Sequence, residues 1–287
     1  MWLTLGILRL ISFLPYSVLL QLGRSLGFVL KLITPKRQNI IDTNLLLCFP
    51  DKSDEERALI ARESYNSLGI TLVEYAICWW WPDKKLKSFV EIRGFEHVTN
   101  CLNNNQGVIL VTGHFTSLEL GARLLTLFMP IQVMYRQQRN ELFNDFQLHK
   151  RNGYFKETIS RKNMRKMIKG IKYLTPTWYA PDQDFGTENN VFAPFFGTPA
   201  ATITATARLA KSTKAAVLPY FPERKKDGSG YILHISPAIQ NMPSDSDLND
   251  ATAINQSIEN GIKCRPEQYM WVHKRFKTRP EGEPPIY

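Results

Sequence analysis

The stretch GVILVTGHFTSLELGARLL, from Gly107 to Leu125, decides the fold because it joins a strand to a helix through a short polar loop. The apolar run GVILV at 107–111 is typical of a strand buried on both faces. The spacing of apolar residues from Ser117 to Phe128 predicts a helix. His114 lies in the loop between them, and Glu119 follows five positions later.

Short apolar runs alternate with helical patterns along the rest of the chain. The runs predicted as strands are IQVMY (131–135), TWYA (177–180) and AAVLPYF (215–221), and helices are predicted at about 160–174 and 200–211. YILHIS (231–236) follows a turn-like KKDGSG and predicts an antiparallel strand. VFAPFFGTPAAT (191–202) is predicted to be a loop, either ordinary core or the wall of an acyl-chain groove. Together the pattern predicts an α/β fold with a mostly parallel mixed sheet flanked by helices.

The composition is that of a globular protein with a basic surplus. Of 287 residues, 44% are hydrophobic and 22% charged, and 36 lysines and arginines against 26 acidic residues give a formal charge of +10. Such a charge suits a polyanionic partner, whether nucleic acid, anionic lipid or an acidic carrier protein. The four cysteines show no C-x-x-C pairing. We interpret them as reduced, which favours a cytoplasmic main body.

Residues 1–33 form an apolar segment with only three charged side chains, Arg9, Arg24 and Lys31. The segment is long enough to span a membrane, which takes ~20 apolar residues, and basic residues after it place residues 34–287 on the cytoplasmic side. Arg9 and Pro15 also fit a helix lying in the membrane interface, and a buried core helix is the third interpretation. We expect a membrane-anchoring segment at 1–33 and one catalytic domain at 34–287.

Three polar residues follow three of the predicted strands. His114, Arg136 and Asp182 each come just after an apolar run. In parallel sheets, functional sites collect at the carboxyl ends of the strands. The sequence therefore predicts that these three side chains converge at one edge of the sheet.

Two interpretations fit His114 and Glu119. A loop histidine that bonds a carboxylate through one ring nitrogen leaves the other nitrogen free to accept a proton, which makes His114 a candidate general base and Glu119 its orienting partner. Gly113 would permit their close approach. Alternatively, Thr116 and Glu119 form a capping box at the start of the helix, and His114 has no chemical role.

The neighbouring patterns restrict the chemistry available to such a base. No nucleophile is placed beside His114 and no cysteine has a catalytic context, so covalent catalysis finds little support. No metal-ligand pattern and no cofactor motif is present. Direct transfer from an activated donor such as a thioester remains. Arg136 is predicted to clamp a phosphate or an oxyanion, or to pair structurally with Asp182 or Asp184.

The basic stretch SRKNMRKMIKGIKYL has apolar residues at helical spacing on one face and cations on the other. A solvated helix face is the ordinary interpretation. A docking surface for an acidic carrier or for anionic lipid is the sharper alternative.

Four separated motifs occur in order: GHFTSLELGARLL, WYAPDQDFG, VFAPFFGTPAAT and PEQYMWVHKRFKTRPEGEPPIY. Together they resemble the late acyltransferases of lipid A biosynthesis, closest to the lauroyl branch, over almost the whole chain. The resemblance implies a glycerol-phosphate-acyltransferase-like fold and an inner-membrane enzyme with its catalytic domain facing the cytoplasm. It implies transfer of a fatty acyl group from acyl carrier protein to a hydroxyl on an acyl chain of Kdo-bearing lipid IVA, a phosphorylated glycolipid.

The resemblance also implies functional roles for individual residues. The family's H-x4-D/E motif matches His114 and Glu119, its arginine after the next strand matches Arg136, and its D-x-D turn matches Asp182 and Asp184. Relatives often have prolines where this chain has Gln137 and Glu141, which leaves the loop after Arg136 less restricted.

The sequence leaves two rival functions open. A glycerol-phosphate-type phospholipid acyltransferase would use the same chemistry, although the carboxy-terminal motifs argue against it. A basic membrane- or nucleic-acid-binding protein would need no catalysis. The chain lacks the aromatic and basic signatures of ribonucleoprotein modules, so we expect no nucleic-acid partner.

Overall fold

A computed structural model describes residues 2–138 and 140–287. Eleven helices and nine strands lie in those ranges. The helices are α1 (Trp2–Ile11), α2 (Tyr16–Ile33), α3 (Pro35–Cys48), α4 (Asp54–Trp80), α5 (Asp83–Lys87), α6 (Phe95–Asn103), α7 (Leu118–Leu125), α8 (Glu141–Asn152), α9 (Met164–Lys172), α10 (Ala205–Thr213) and α11 (Asp247–Cys264). The strands are β1 (Val90–Arg93), β2 (Val108–Val111), β3 (Gln132–Tyr135), β4 (Glu157–Ser160), β5 (Thr177–Tyr179), β6 (Asn190–Phe195), β7 (Thr198–Ile203), β8 (Ala216–Arg224) and β9 (Tyr231–Ile235).

Seven strands form the central sheet in the order β1-β9-β8-β2-β5-β3-β4, and β6 and β7 form a separate two-stranded sheet. Every pair in the central sheet is parallel except β8 with β9. The predicted α/β class and mostly parallel mixed sheet are confirmed. The antiparallel strand predicted at YILHIS is confirmed as β9.

Strand β2 lies at the centre of the sheet and is buried on both faces. Val108 and Leu110 belong to one hydrophobic core, while Ile109 and Val111 belong to the other. All four are at most 1% exposed. The alternation follows from the two-residue period of a strand, which sends successive side chains to opposite faces. Helices therefore cover both sides of the sheet and hold the end of β2 in a fixed position.

Three sequence-based boundaries were wrong, each because a tertiary pairing overrode the local pattern. Residues 191–202 are not a loop but most of the antiparallel β6–β7 hairpin. Its two-residue turn has positive φ at both Phe196 (49°) and Gly197 (79°), the backbone geometry of a tight hairpin. The helix predicted at 200–211 begins only at Ala205, and the basic helix begins at Met164 after strand β4.

Helix α4 begins where its capping box predicts. The Ser53 hydroxyl accepts from the backbone N–H of Glu56, and the Glu56 carboxylate accepts from the backbone N–H of Ser53. The helix ends at Trp80, before Pro82. Trp79 and Trp81 are each 6% exposed, so these two tryptophans belong to the core.

The apolar segment consists of two helices, because Pro15 separates α1 from α2. By length and composition α2 is the one described helix that could cross a membrane. One side of α2 packs along α4 at a seam of three glycines, where a Cβ added to Gly69 would lie only 2.1 Å from the Gly23 carbonyl oxygen. The stretch GRSLG at 23–27 has the letters of the Gly-x-Ser-x-Gly nucleophile motif. That motif requires its serine at a turn between a strand and a helix, whereas Ser25 lies within α2.

The other sides of these two helices are apolar and exposed. Side chains of α1 and α2 that are at least half exposed include Trp2, Leu3, Ile7, Leu10, Phe28, Leu32 and Ile33. An apolar face of this size is a hallmark of contact with another apolar phase or partner. The segment is thus packed against the body on one side and open on the other.

Candidate active site

His114, Asp182 and Arg136 lie at one edge of the sheet. They follow β2, β5 and β3, which are neighbours in the sheet and run parallel. Their carboxyl ends consequently meet at the same edge. His114 and Arg136 line a common cavity of about 280 Å³, and Asp182 is in direct contact with His114. The predicted convergence is confirmed.

Asp182, not Glu119, is the carboxylate that holds His114. The His114 Nδ1 atom lies 2.5 Å from Asp182 Oδ1, and the backbone N–H of His114 donates to Asp182 Oδ2 at 2.7 Å. The Asp182 side chain is 1% exposed, whereas that of His114 is 21% exposed and faces the cavity. The pairing leaves Nε2 as the ring nitrogen available to a substrate, because no described residue hydrogen-bonds to it.

The pairing sets the charge state of both groups. Burial acts to lower the pKa of His114, but the adjacent Asp182 carboxylate outweighs it and the pKa is raised above the ordinary value of histidine. Burial acts to raise the pKa of Asp182, but His114, its backbone N–H and the Tyr269 hydroxyl hold that pKa well below its usual range. Asp182 is therefore a permanent anion that increases the basicity of the imidazole.

The carboxy-terminal motif forms the back wall of this pair. The Tyr269 hydroxyl donates to Asp182 Oδ2 at 2.7 Å. On either side of it, the backbone N–H of Met270 donates to the His114 carbonyl and that of Thr116 donates to the Gln268 carbonyl. A Cβ on Gly113 would lie 3.1 Å from the Tyr269 ring and 3.3 Å from Asp182, so glycine permits this close approach.

The predicted contact between Glu119 and His114 is wrong. Glu119 lies in the first turn of α7 and receives a two-pronged bond from Arg151, with Nε to Oε1 at 2.9 Å and Nη2 to Oε2 at 2.5 Å. The Tyr154 hydroxyl donates to Oε1 at 3.1 Å. Side-chain exposures of 13% for Glu119 and 17% for Arg151 make this a largely desolvated pair, which fixes the guanidinium in the cavity wall.

The alternative capping box at Thr116 is also wrong. The residue that caps α7 is Ser117, and it makes no side-chain capping bond. The Thr116 hydroxyl lies 2.7 Å from that of Ser67, and the Thr116 carbonyl accepts from the Thr71 hydroxyl at 2.9 Å. Ser67 and Thr71 lie on α4, so the loop after His114 is attached to the long helix that also packs against α2.

Arg136 and Asp184 differ in how they relate to the cavity. Arg136 is exposed at the cavity mouth, and among the described residues it pairs with neither Asp182 nor Asp184. Asp184 accepts from the Gly186 backbone N–H and from both the backbone and the hydroxyl of Thr278. The predicted substrate-binding role of Asp184 thus has no support in the geometry, because its oxygens fasten the loop to the carboxy-terminal segment instead.

The cavity is cationic and continues into an apolar groove. Arg136, Arg151 and Arg161 line the cavity, and no carboxylate lines it in the described ranges. Four residues, Met134, Arg161, Tyr179 and Phe185, also line a neighbouring groove of about 630 Å³. The groove runs between α9 and α10 and is walled chiefly by Met164, Ile168, Ile203 and Leu209. A ligand with a long apolar chain fits this combination.

A second histidine lies beside the first. The rings of His114 and His273 meet edge to face with centroids 5.7 Å apart. Burial, together with the proximity of His114, lowers the pKa of His273 to about 4. Its Nε2 atom is 3.2 Å from the Gln183 amide. His273 is consequently neutral at physiological pH and adds no competing positive charge next to His114.

Two members of the site, Arg151 and Tyr269, were missed by sequence reasoning. Arg151 lies on α8, 32 residues from Glu119, and Tyr269 lies 87 residues from Asp182. Nothing in the local pattern indicates either partner. The only available signal was that Tyr269 belongs to one of the four motifs that carry the family resemblance.

Comparison with known proteins places the chain in a family. Residues 1–278 match the model of a family described as bacterial lipid A biosynthesis acyltransferase. Among similar proteins, the lipid A biosynthesis lauroyltransferase of Escherichia coli is 39% identical over 287 residues, covering 100% of this chain and 94% of the relative. The lipid A biosynthesis palmitoleoyltransferase of the same organism is 40% identical over 288 residues, with the same coverage. Its lipid A biosynthesis myristoyltransferase is 29% identical, covering 93% and 82%.

Proposed function

This chain belongs to the bacterial lipid A biosynthesis acyltransferases; on that premise we propose that it moves a fatty acyl group from acyl carrier protein to a hydroxyl on an acyl chain of Kdo-bearing lipid IVA. That it is an acyltransferase follows from its family. The donor, the acceptor and the catalytic residues are our proposal. The observation that carries it is the His114–Asp182 pair at a cationic cavity that opens into an apolar groove.

In the proposed reaction His114 is the general base. The acceptor hydroxyl gives its proton to His114 Nε2 while its oxygen bonds to the thioester carbonyl carbon. The carbon–sulfur bond then breaks, and the proton on the imidazolium passes to the departing thiolate. The products are an acyloxyacyl ester and the free thiol of the carrier protein, with no covalent enzyme intermediate.

Asp182 acts through His114. Its carboxylate keeps the Nδ1 atom protonated, so that the lone pair lies on Nε2, and it stabilises the imidazolium that forms during transfer. Tyr269 holds the carboxylate in place. This assigns to Asp182 the orienting role that the sequence pattern suggested for Glu119.

The arginines of the cavity wall stabilise negative charge. Arg151, fixed by Glu119, and Arg136 are two of the three arginines that line the cavity that His114 faces. Either can stabilise the oxyanion that develops on the thioester carbonyl or bind a phosphate of a substrate. Glu119 thereby contributes by keeping Arg151 rigid, which preserves its position without solvent reorganisation during the reaction.

The apolar groove between α9 and α10 is proposed to hold the acyl chain of the donor. Its walls are mainly aliphatic and aromatic, with Arg161 and Arg208 among the polar residues that also line it, and Tyr179 and Phe185 are shared with the cavity that His114 faces. Lauroyl is the chain favoured by the motifs, while the palmitoleoyl-transferring relative is equally similar. One methylene changes binding by only ~1–3 kcal/mol. Selection between chain lengths then depends on the depth at which the groove closes.

We place the enzyme at the inner membrane with its catalytic domain on the cytoplasmic face. The exposed apolar sides of α1 and α2 support this, and so do the basic residues that follow α2. The close packing of α2 on α4 favours a segment embedded alongside the body rather than a detached anchor. The alternating strands and helices also suit a glycerol-phosphate-acyltransferase-like fold.

A donor and acceptor matrix tests the proposal. The purified protein in neutral detergent is given acyl carrier protein loaded with 12-, 14- or 16-carbon chains, together with lipid IVA with or without Kdo, or with glycerol 3-phosphate. Mass spectrometry reads the products. We expect one added acyl mass on the Kdo-bearing glycolipid, with one chain length preferred. Acylation of glycerol 3-phosphate alone would establish the rival phospholipid activity, and no acyl transfer to any acceptor would favour a non-catalytic binding protein.

A further inference from the structure

A basic cleft lies beside the amino end of α3, outside the site described above. It measures about 620 Å³ and is lined by three cations, Lys36, Arg37 and Lys274. No carboxylate side chain lines it in the described part of the chain. Its remaining walls come from Asn39, Ile40, Thr43, Ile286 and Tyr287. The basic cleft therefore combines concentrated positive charge with an apolar floor.

No described residue forms an ion pair with the cations of the basic cleft. Lys36 and Arg37 also occupy the first turn of α3, where there is no acidic residue and where the helix dipole disfavours positive charge. An anion between the three side chains would relieve both repulsions.

The position of the basic cleft relates it to the membrane-facing surface. The last turn of α2 exposes Leu32 (65%) and Ile33 (67%), and Lys36 follows three residues later. Cations immediately beyond an embedded apolar face lie at the depth of lipid head groups. An anion arriving there from the bilayer would be the phosphate of a lipid.

A short connection joins the basic cleft to His114. Arg37 Nη1 donates to the Val272 carbonyl at 3.1 Å, and the next residue, His273, contacts the His114 ring. Lys274 follows directly. Residues 272–274 thus border the cleft at one end and the base at the other. The groove between α9 and α10 shares no lining residue with this cleft, so it can take a different substrate.

We infer that Lys36, Arg37 and Lys274 bind a phosphate of the membrane-borne glycolipid acceptor and guide its hydroxyl-bearing chain toward His114. This inference rests on the proposed function. It separates the two substrates: the acyl chain of the donor lies in the apolar groove, and the acceptor enters from the membrane side through the basic cleft.

The test neutralises the two lysines and leaves Arg37 with its structural bond to Val272. The double variant Lys36→Gln/Lys274→Gln is compared with the control Lys84→Gln/Lys214→Gln. Lys84 and Lys214 are exposed and line neither the cavity, the apolar groove nor the basic cleft. Acceptor kinetics are measured in neutral detergent micelles. We expect the cleft variant to raise acceptor KM roughly tenfold, as expected for two partly exposed ion pairs. Its kcat and donor KM should be unchanged, and the difference should shrink with salt or with a dephosphorylated acceptor.

Binding to vesicles separates the acceptor's phosphate from that of bulk lipid. If the cleft variant keeps the parent acceptor KM, the inference is overturned. If it also loses binding to phosphatidylglycerol vesicles but not to phosphatidylcholine vesicles, the cleft belongs to bulk anionic lipid. A parent enzyme that transfers no acyl group refutes the proposed function instead. In that case binding of lipid IVA in neutral nanodiscs, weaker in the cleft variant than in the control, still supports the inference, and equal binding overturns it.

Discussion

Replacing Asp182 by asparagine should abolish most activity while leaving the site's shape intact. Asp182 accepts three hydrogen bonds: from the His114 backbone, from the His114 ring and from Tyr269. In Asp182→Asn one amide oxygen can still accept from the backbone N–H and the tyrosine, which leaves the amide NH2 facing Nδ1. Nδ1 then becomes an acceptor and the ring proton moves to Nε2. The base is consequently blocked at the atom that should take the acceptor's proton.

The size of the effect follows from the loss of the correct tautomer. We expect kcat to fall about 10³- to 10⁴-fold, equal to roughly 4–5.5 kcal/mol of transition-state stabilisation. The direction in which the pH profile shifts also follows from the structure. In the parent the carboxylate raises the pKa of His114 against the effect of burial. Without it burial acts alone, so the acid limb of the kcat/KM profile moves to lower pH.

Steady-state acyl transfer at varied acceptor concentration over a pH series measures both kcat and kcat/KM. Asp184→Asn is the matched control, since it changes the same residue type two positions away without touching His114. The control should lower thermal stability and leave the acid limb in place. Asp182→Asn with a rate within tenfold of the parent, or with an unshifted acid limb, would refute the assignment of Asp182.

Tyr269, Glu119 and Gly69 each make a contact that a single substitution tests. Tyr269→Phe removes a hydrogen-bond donor from Asp182, so the carboxylate should raise the pKa of His114 further. The acid limb should then move to higher pH by less than about one unit, and movement to lower pH would contradict this. Glu119→Gln should lower kcat roughly 10- to 100-fold by loosening Arg151, without moving the acid limb. If the acid limb moved as it does in Asp182→Asn, Glu119 would be the partner of His114 after all. Gly69→Leu should lower the unfolding free energy by about 3 kcal/mol or more, because its Cβ would overlap α2. Gly6→Leu on α1 is the control, since a Cβ at Gly6 has nothing within 4 Å. Equal melting temperatures of the two variants would argue against the α2–α4 seam.

The strands and the position of His114 were predictable because their signals are local. The apolar run that becomes β2 specifies a doubly buried strand, and the rule that sites follow parallel strands places His114, Arg136 and Asp182 at one edge. The hairpin at 190–203 was not predictable in this way. Its pairing depends on a turn at Phe196 and Gly197, and its short alternation of apolar and small residues also fits a loop.

The carboxylate partner of His114 was not predictable, because two carboxylates were available and the nearer one in sequence was the wrong one. Glu119 lies on the same local unit as His114, yet it binds Arg151 from α8. Asp182 is 68 residues away and reaches His114 only because β5 pairs with β2. Sequence distance describes helix contacts well, whereas contacts across a parallel sheet depend on strand order.

The most direct test of the account is the rate of acyl transfer by His114→Ala. The parent and the variant are given the preferred acyl carrier protein donor and Kdo-bearing lipid IVA under single-turnover conditions, and the product is quantified by mass spectrometry. We expect a rate more than ~100-fold below that of the parent, from a variant that still unfolds cooperatively and binds the acceptor as the parent does. A folded variant that acylates the glycolipid at the parent rate would contradict the claim that His114 is the general base.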